Sequence, residues 1–144
     1  MVDNPASNLV LEASGSLQVT GGSGANAYTQ IGHGGLLAGQ NKQGTIDVTA
    51  LGGIALSGGA DNNTYAMIGH GGQMTGDVAD AAITVLTDGQ IDLNAGAPRD
   101  TFAQIGHGGA ASIATITNSA IDVTANGAGI FGLADGQESY VQIG

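Results

Sequence analysis

The sequence lacks cysteine and tryptophan altogether, and its only lysine and arginine are Lys42 and Arg99. Without cysteine, neither a disulfide nor a thiolate metal site can form. The two basic residues stand against 12 acidic ones, so the formal net charge is −10. Nucleic acids and anionic membrane surfaces are bound mainly through lysine and arginine, and we expect neither as a partner. No run approaches the roughly 18 apolar residues that cross a bilayer, so membrane insertion is not expected either.

Aromatic residues make up only 3% of the chain, whereas glycine supplies 27 of its 144 residues. A thick globular core needs large side chains to fill it. This composition instead favours a narrow interior of Ile, Leu, Val and Ala, enclosed by a chain that turns often. A chain of this length is predicted to form a single unit, over residues 1–144.

One glycine-rich segment recurs along the chain and decides the architecture. The copies are Tyr28–Gly35, Tyr65–Gly72 and Phe102–Gly109, and a further copy begins at Tyr140. Their Ile–Gly pairs begin at Ile31, Ile68, Ile105 and Ile143, at intervals of 37, 37 and 38 residues. A fixed period of this length is typical of proteins built by stacking one repeated unit. We place the repeats at 7–43, 44–80, 81–117 and 118–144.

Two further strand patterns precede the glycine-rich segment in each repeat. One opens at Leu9, Ile46, Ile83 and Ile121, and the other at Leu17, Ile54, Ile91 and Ile130. In the segment from Ile46 to Ala50, apolar residues alternate with Asp47 and Thr49, which is the pattern of a half-buried strand. The remaining segments, 36–44, 73–85 and 110–118, share no pattern, and we interpret them as variable loops.

These patterns predict an all-β protein with a parallel β-helix (β-solenoid) fold. Each coil would hold about three short strands, and about four coils would stack at a spacing of about 4.8 Å. Equivalent residues would then form columns along the stack, for example Ile31 above Ile68. A β-sandwich or a set of propeller blades is the alternative, but neither needs equivalent residues at near-constant spacing.

The three histidines, His33, His70 and His107, occupy one equivalent position. Stacked coils would place their rings about 5 Å apart, and aligned imidazoles can bind Zn²⁺, Ni²⁺ or Cu²⁺. The three residues are therefore candidate metal ligands. A structural role is favoured, in which each ring donates to a carbonyl of the neighbouring coil, because no acidic residue repeats beside them. We expect no cofactor.

A second column holds the candidate ligand-binding residues Tyr28, Tyr65, Phe102 and Tyr140. They fall on the strand face opposite Ile31 and its equivalents, so the rings would point outward or into a corner. An outward stack could grip sugars or a partner surface. The favoured alternative is that the rings, together with a column of glutamines, stabilise the coils through contacts in register.

No arrangement of residues supports catalysis. Asp47 and Asp122 align, but Thr84 stands at the equivalent position of the third repeat, and the other acids are scattered. No nucleophile motif, phosphate loop or calcium-binding repeat is present. We therefore do not expect an enzyme.

The segment Gly22–Gly35, alternating with Ile46–Ala50 and Gly52–Gly59, resembles the repeat regions of large bacterial filamentous-haemagglutinin-like exoproteins. These proteins are adhesins exported by two-partner or autotransporter-type routes. The resemblance covers Leu9 to Gly144 and implies a right-handed β-helix shaft at the cell surface or outside the cell, as a segment of a larger protein. The family supplies no catalytic residue to transfer.

Taken with the repeat, the resemblance predicts a structural rod of an adhesin-like surface protein. Uncapped coil ends would also allow end-to-end self-assembly. The alternative is a module that binds surface glycans or host matrix through an exposed aromatic or loop face.

Overall fold

The structure is a computed structural model that describes residues 7–37, 41–113 and 115–144. Within these residues it contains thirteen β-strands and no helix, and hence no helix that could cross a membrane. The strands are β1 Leu9–Ala13, β2 Leu17–Thr20, β3 Tyr28–Ile31, β4 Lys42–Ala50, β5 Ile54–Ser57, β6 Tyr65–Gly71, β7 Val78–Thr87, β8 Ile91–Asn94, β9 Phe102–Gly108, β10 Ile116–Thr117, β11 Ala120–Ala125, β12 Ile130–Leu133 and β13 Tyr140–Ile143.

The strands form three parallel sheets, and each strand pairs with its equivalents in the coils above and below. The first sheet runs β1-β4-β7, with β10 and β11 both pairing β7; the second runs β2-β5-β8-β12; the third runs β3-β6-β9-β13. One strand of each sheet makes one coil, so the chain is a β-solenoid of about four turns. This confirms the predicted fold class and excludes the sandwich and propeller alternatives. The handedness stays a prediction.

The register of the sheets places equivalent residues directly over one another. Leu17 pairs with Ile54, which pairs with Ile91, and Ile91 pairs with Ile130. The same holds in the third sheet, where Ile68 lies between Ile31 and Ile105. The 37-residue period of the sequence is therefore the length of one coil.

Aliphatic side chains from all three sheets fill the interior. The fully buried members include Ile46, Val48, Ile54, Leu56, Ile68, Ile83, Ile91 and Ile105. In β4 and β5, buried residues alternate with partly exposed ones, as expected for strands with one face inside. Burying each large aliphatic side chain contributes about 1.5 to 3 kcal/mol, and the aliphatic columns are the main source of stability.

Glycines in the third sheet allow the backbones of successive coils to approach closely. A β-carbon added at Gly69 would collide with the carbonyl oxygen of Gly106 in the next coil. At Gly24, by contrast, an added β-carbon would meet nothing within 4 Å. Gly69 is therefore a packing requirement, whereas Gly24 lies in an open turn.

We expect Gly69→Ala to lower the free energy of unfolding by about 2 kcal/mol or more, because the coils must separate to admit the methyl group. Urea unfolding followed by circular dichroism measures this change. Gly24→Ala is the matched control and should stay within about 0.5 kcal/mol of the parent. Equal stability of the two variants would contradict the close stacking at Gly69.

All three loop predictions are wrong in part. Strands begin inside the segments 36–44, 73–85 and 110–118, since β4 begins at Lys42, β7 at Val78 and β10 at Ile116. The pairing of β4 with β7 shifts between Lys42 and Gly44, because β7 carries one extra residue there. Asp80 lies in this irregular stretch with a left-handed φ of 50°. The extra residue breaks the two-residue alternation, and this is why the pattern hid the start of the strand.

Candidate functional site: two side-chain columns in the third sheet

The third sheet differs from the other two because β6 and β9 are buried on both faces. Ala66 and Ile68 point into the aliphatic interior, whereas Tyr65 and Met67 belong to a second apolar cluster on the opposite face. The segment that follows β6 passes over this outer face. A β-carbon at Gly72 would lie only 2.8 Å from the Tyr65 hydroxyl, so glycine is needed there.

The four aromatic rings form a continuous stack on this outer face. Successive ring centroids lie 4.7, 4.4 and 5.0 Å apart, and the ring planes are within 7° of parallel. Tyr28 stacks on Tyr65, Tyr65 on Phe102, and Phe102 on Tyr140. The predicted column of aromatic rings is therefore confirmed.

The burial of these rings limits what the column can bind. Tyr65 and Phe102 are at most 1% exposed, Tyr140 is partly exposed, and Tyr28 is 42% exposed. Burial raises the pKa of Tyr65 well above its ordinary value, and the nearby Tyr28 hydroxyl adds to this effect. The two central rings are thus neutral and covered by protein. Any glycan that binds to this column would have to contact the rings at the two ends of the column, Tyr28 and Tyr140.

Glutamine side chains beside the rings link successive coils. The Gln30 amide donates to the carbonyl oxygens of Gly69 at 2.9 Å and Gly71 at 3.1 Å, both in the next coil. Gln104 donates in the same way to the carbonyl oxygen of Gly144, at 3.4 Å. The glutamines therefore bond to the backbone of the Gly-His-Gly segment rather than to one another. This contact was not predicted, since Met67 interrupts the glutamine column in the sequence.

The histidine column lies at the end of the same strands. The ring centroids of His33 and His70 are 4.8 Å apart, and those of His70 and His107 are 5.3 Å apart, which confirms the predicted spacing. The Nδ1 atoms of His33 and His70 lie 3.0 Å from each other. Such a bond needs one ring that donates from Nδ1 and one that accepts there, so at least one of the two rings is neutral. The sequence predicted a bond to a neighbouring carbonyl and did not predict this ring-to-ring bond.

Burial disfavours the charged form of these rings. His70 is 0% exposed, and His107 is 6% exposed. Desolvation lowers the pKa of His70 to about 4, with a further lowering from His33 and His107, while the backbone of Ala82 works in the opposite direction. Desolvation also lowers the pKa of His33 and of His107. Nε2 of His70 and both ring nitrogens of His107 lack a well-formed hydrogen bond within the part of the chain described.

The stacking geometry does not suit metal chelation. A zinc site needs nitrogen lone pairs that converge on one point, and each lone pair lies in the plane of its ring. The Nδ1 atoms of His33 and His70 are engaged with each other at 3.0 Å, and the planes of the two rings are within 14° of parallel. Over the described ranges, no group of three or more His, Asp or Glu side chains could hold a metal ion.

We expect Zn²⁺ to leave the thermal unfolding midpoint unchanged. A metal that binds only the folded chain would raise this midpoint in proportion to its affinity. Differential scanning calorimetry in Zn²⁺ and in a chelator measures the difference, with Ni²⁺ as a second metal. A rise of several degrees that disappears in His33→Asn would restore the histidines as metal ligands.

A shallow groove of about 320 Å³ crosses the outer face of the second sheet. The small residues Gly53 and Ala55 line it, together with the polar residues Gln18, Gln90 and Asp92. The Gln90 amide donates to the Asp92 carboxylate at 2.6 Å. These residues could not be identified from the sequence, because they belong to three different repeats and none of them repeats by type.

The one arginine lies away from this groove. Arg99 pairs with Glu138 at 2.6 Å and with Asp100 at 3.3 Å, and all three side chains are substantially exposed. The pair raises the pKa of Arg99 and lowers that of Glu138. As an exposed ion pair it contributes little to stability. The pair of Arg99 and Glu138 joins surface turns of two successive coils.

Comparisons with protein-family models, with curated proteins and with solved structures find no match. The fold by itself defines the class, a parallel β-solenoid built from one repeated coil. The resemblance to filamentous-haemagglutinin-like repeats therefore rests on the sequence motifs alone.

Proposed function

We propose that the chain is a structural rod segment of an exported bacterial cell-surface protein, adhesin-like in the sense of the resemblance above, and that it is not an enzyme. The observation that carries this proposal is the stacking of equivalent residues from coil to coil in all three sheets, interrupted by one register shift between Lys42 and Gly44. In each coil, the residues that recur in every repeat pack against their equivalents in the next coil. The repeated residues thus hold successive coils together.

The buried polar columns support the same role. Gln30 and Gln104 bond to backbone carbonyls of the following coil, and the His33 and His70 rings bond to each other. Contacts of this kind fix the rotation and rise from one coil to the next. A stack in which every coil is locked to its neighbour resists bending and leaves few open segments for proteases.

Two measurements test the rod proposal. Small-angle scattering on chains with two and four added copies of the repeat 44–80 should show the long dimension growing by about 4.8 Å per coil. Labelling of intact source cells with a membrane-impermeant reagent should modify the protein. A long dimension that does not grow with the added repeats, or a protein that is labelled only after lysis, would contradict the proposal.

A second candidate function, binding of a neutral glycan, is favoured by the groove on the second sheet. Phe131 is 51% exposed and pairs with Asp92 on the outer face, directly beside the groove. An exposed ring next to a carboxylate and amides can pack on a sugar face while its hydroxyls are hydrogen-bonded. The net charge of −10 disfavours acidic glycans.

A glycan array tests this second candidate. If the groove binds a sugar, Asp92→Ala and Phe131→Ala should each abolish the signal, while Tyr28→Ala should leave it intact. Loss of the signal in Tyr28→Ala alone would place the binding face on the aromatic column instead. A silent array would leave the rod proposal as the only function.

A further inference from the structure

We propose that Asn126 is a site of spontaneous covalent modification, at which loss of ammonia yields aspartate or isoaspartate and sets a new carboxylate against Asp88 of the preceding coil. Asn126 is the only asparagine of the chain that precedes a glycine. Asparagine reacts in this way most readily before glycine, because glycine has no side chain to hinder the approach of its backbone nitrogen. The inference is independent of the rod function proposed above.

Asn126 lies in the turn that leads from the first sheet to the second, directly after β11. Ala125 pairs with Thr87, so the equivalent position one coil below is Asp88, and two coils below it is Leu51. All three positions are exposed, Leu51 to 59%. Because Leu51 and Asp88 belong to inner coils, the exposure is a property of this turn and does not depend on where the chain ends. Water therefore reaches the Asn126 side chain.

Packing between coils requires the glycine that makes Asn126 reactive. A β-carbon added at Gly127 would lie 2.7 Å from the carbonyl carbon of Gly89, and one added at Gly89 would lie 2.7 Å from that of Gly52. The glycine is present in every repeat, whereas the residue before it differs in each. The close approach of the coils thus retains an exposed Asn–Gly pair in the fourth repeat.

The reaction needs only water as a co-reactant. The backbone nitrogen of Gly127 attacks the side-chain amide carbon of Asn126, and a nitrogen–carbon bond forms while the bond to the amide nitrogen breaks. That nitrogen leaves as ammonia with the proton lost from the backbone nitrogen. Water then opens the five-membered succinimide ring at either carbonyl, which gives aspartate or isoaspartate. The Gly127 N–H donates to the carbonyl oxygen of Gly89 at 3.2 Å, and since this bond must open first, the fold slows the reaction.

The modification replaces an attractive contact between two coils with a repulsive one. The Asn126 side-chain amide donates to the Asp88 carboxylate at 3.3 Å. A carboxylate at position 126 cannot donate, and two negative charges then face each other across the coils. The net charge is already −10, and neither of the two basic residues lies in this turn. The modified chain therefore holds its third and fourth coils together less strongly.

Mass spectrometry of the folded protein tests the reaction. Incubation in mildly alkaline buffer should add about 1 Da at Asn126, roughly tenfold faster than at any other asparagine. Asn126→Gln is the matched control and should show no gain there, because its longer side chain would have to close a less favourable six-membered ring. A peptide of residues 120–132 reports the reaction without the fold. An unmodified Asn126 in folded protein when half of the peptide has reacted, or an equal gain at other asparagines, would overturn the inference.

Thermal unfolding tests the effect on the coils. Asn126→Asp should lower the unfolding midpoint by about 2 °C, and less at high salt, which screens the two charges. In an Asp88→Ser background the same change should have less than half this effect, because no carboxylate opposes it. Ser57→Asp adds an equal charge between the uncharged Thr20 and Asn94 and should leave the midpoint unchanged. No drop for Asn126→Asp, or an equal drop in both backgrounds, would overturn the proposed repulsion between positions 126 and 88.

Discussion

The variant Ile68→Asp should lose on the order of 4 kcal/mol of unfolding free energy and is expected to be largely unfolded at 37 °C. Ile68 is 0% exposed and lies between Ile31 and Ile105 in the interior column. A carboxylate there would have no hydrogen-bond donor or counter-charge to compensate for its lost hydration. Urea unfolding monitored by circular dichroism measures the loss.

The matched control is Ser57→Asp, which puts the same carboxylate on an outer face of the same coil. Ser57 pairs with Thr20 and Asn94, neither of which is charged. Because water can reach the new side chain, we expect a change within about 0.5 kcal/mol. If Ile68→Asp melts like Ser57→Asp, then Ile68 is not internal and the assignment of faces in the third sheet is wrong.

Acid should destabilise the protein through its histidine column. Burial lowers the pKa of His70 from 6.5 to about 4 in the folded chain. Between these two values the unfolded chain binds a proton that the folded chain does not, so the free energy of unfolding falls as the pH drops from 6.5 to 4. At 1.36 kcal/mol per unit, the full loss from His70 is about 3 kcal/mol. Above pH 6.5, His70 adds no pH dependence to the free energy of unfolding.

The measurement is urea unfolding at a series of pH values between 7 and 4, for the parent and for His70→Leu. The leucine variant keeps a buried apolar side chain but cannot bind a proton, so its stability should fall much less over this range. The surface carboxylates titrate alike in both proteins and cancel in the difference. Parallel curves for the two proteins would contradict the burial of an uncharged His70.

Most of the stacking could be predicted from the sequence because the repeat length equals the coil length. Once Ile31 and Ile68 occupy equivalent positions, stacking places one above the other, and the aromatic and histidine columns follow from the same rule. The spacing of the repeats thus determines which residues stack on one another along the solenoid. It does not determine which residues lie beside a column within one coil.

For that reason the surroundings of the candidate residues were not predictable. The segment that covers Tyr65 and Phe102 has no repeated pattern beyond its glycines. Gly72 is a signal that the chain passes close to the Tyr65 ring, because only glycine fits beside the Tyr65 hydroxyl. The irregularity at Asp80 broke the alternation that marks a strand. The groove residues Gln18 and Asp92 come from different repeats and share no residue type.

Isoleucine methyl contacts measured by nuclear Overhauser spectroscopy test the stacking most directly. In methyl-labelled protein we expect cross-peaks from Ile31 to Ile68, from Ile68 to Ile105 and from Ile105 to Ile143, and none from Ile31 to Ile105. Absence of the Ile31–Ile68 contact, with each methyl group seeing a separate set of neighbours, would show that the repeats form independent cores and would contradict the solenoid.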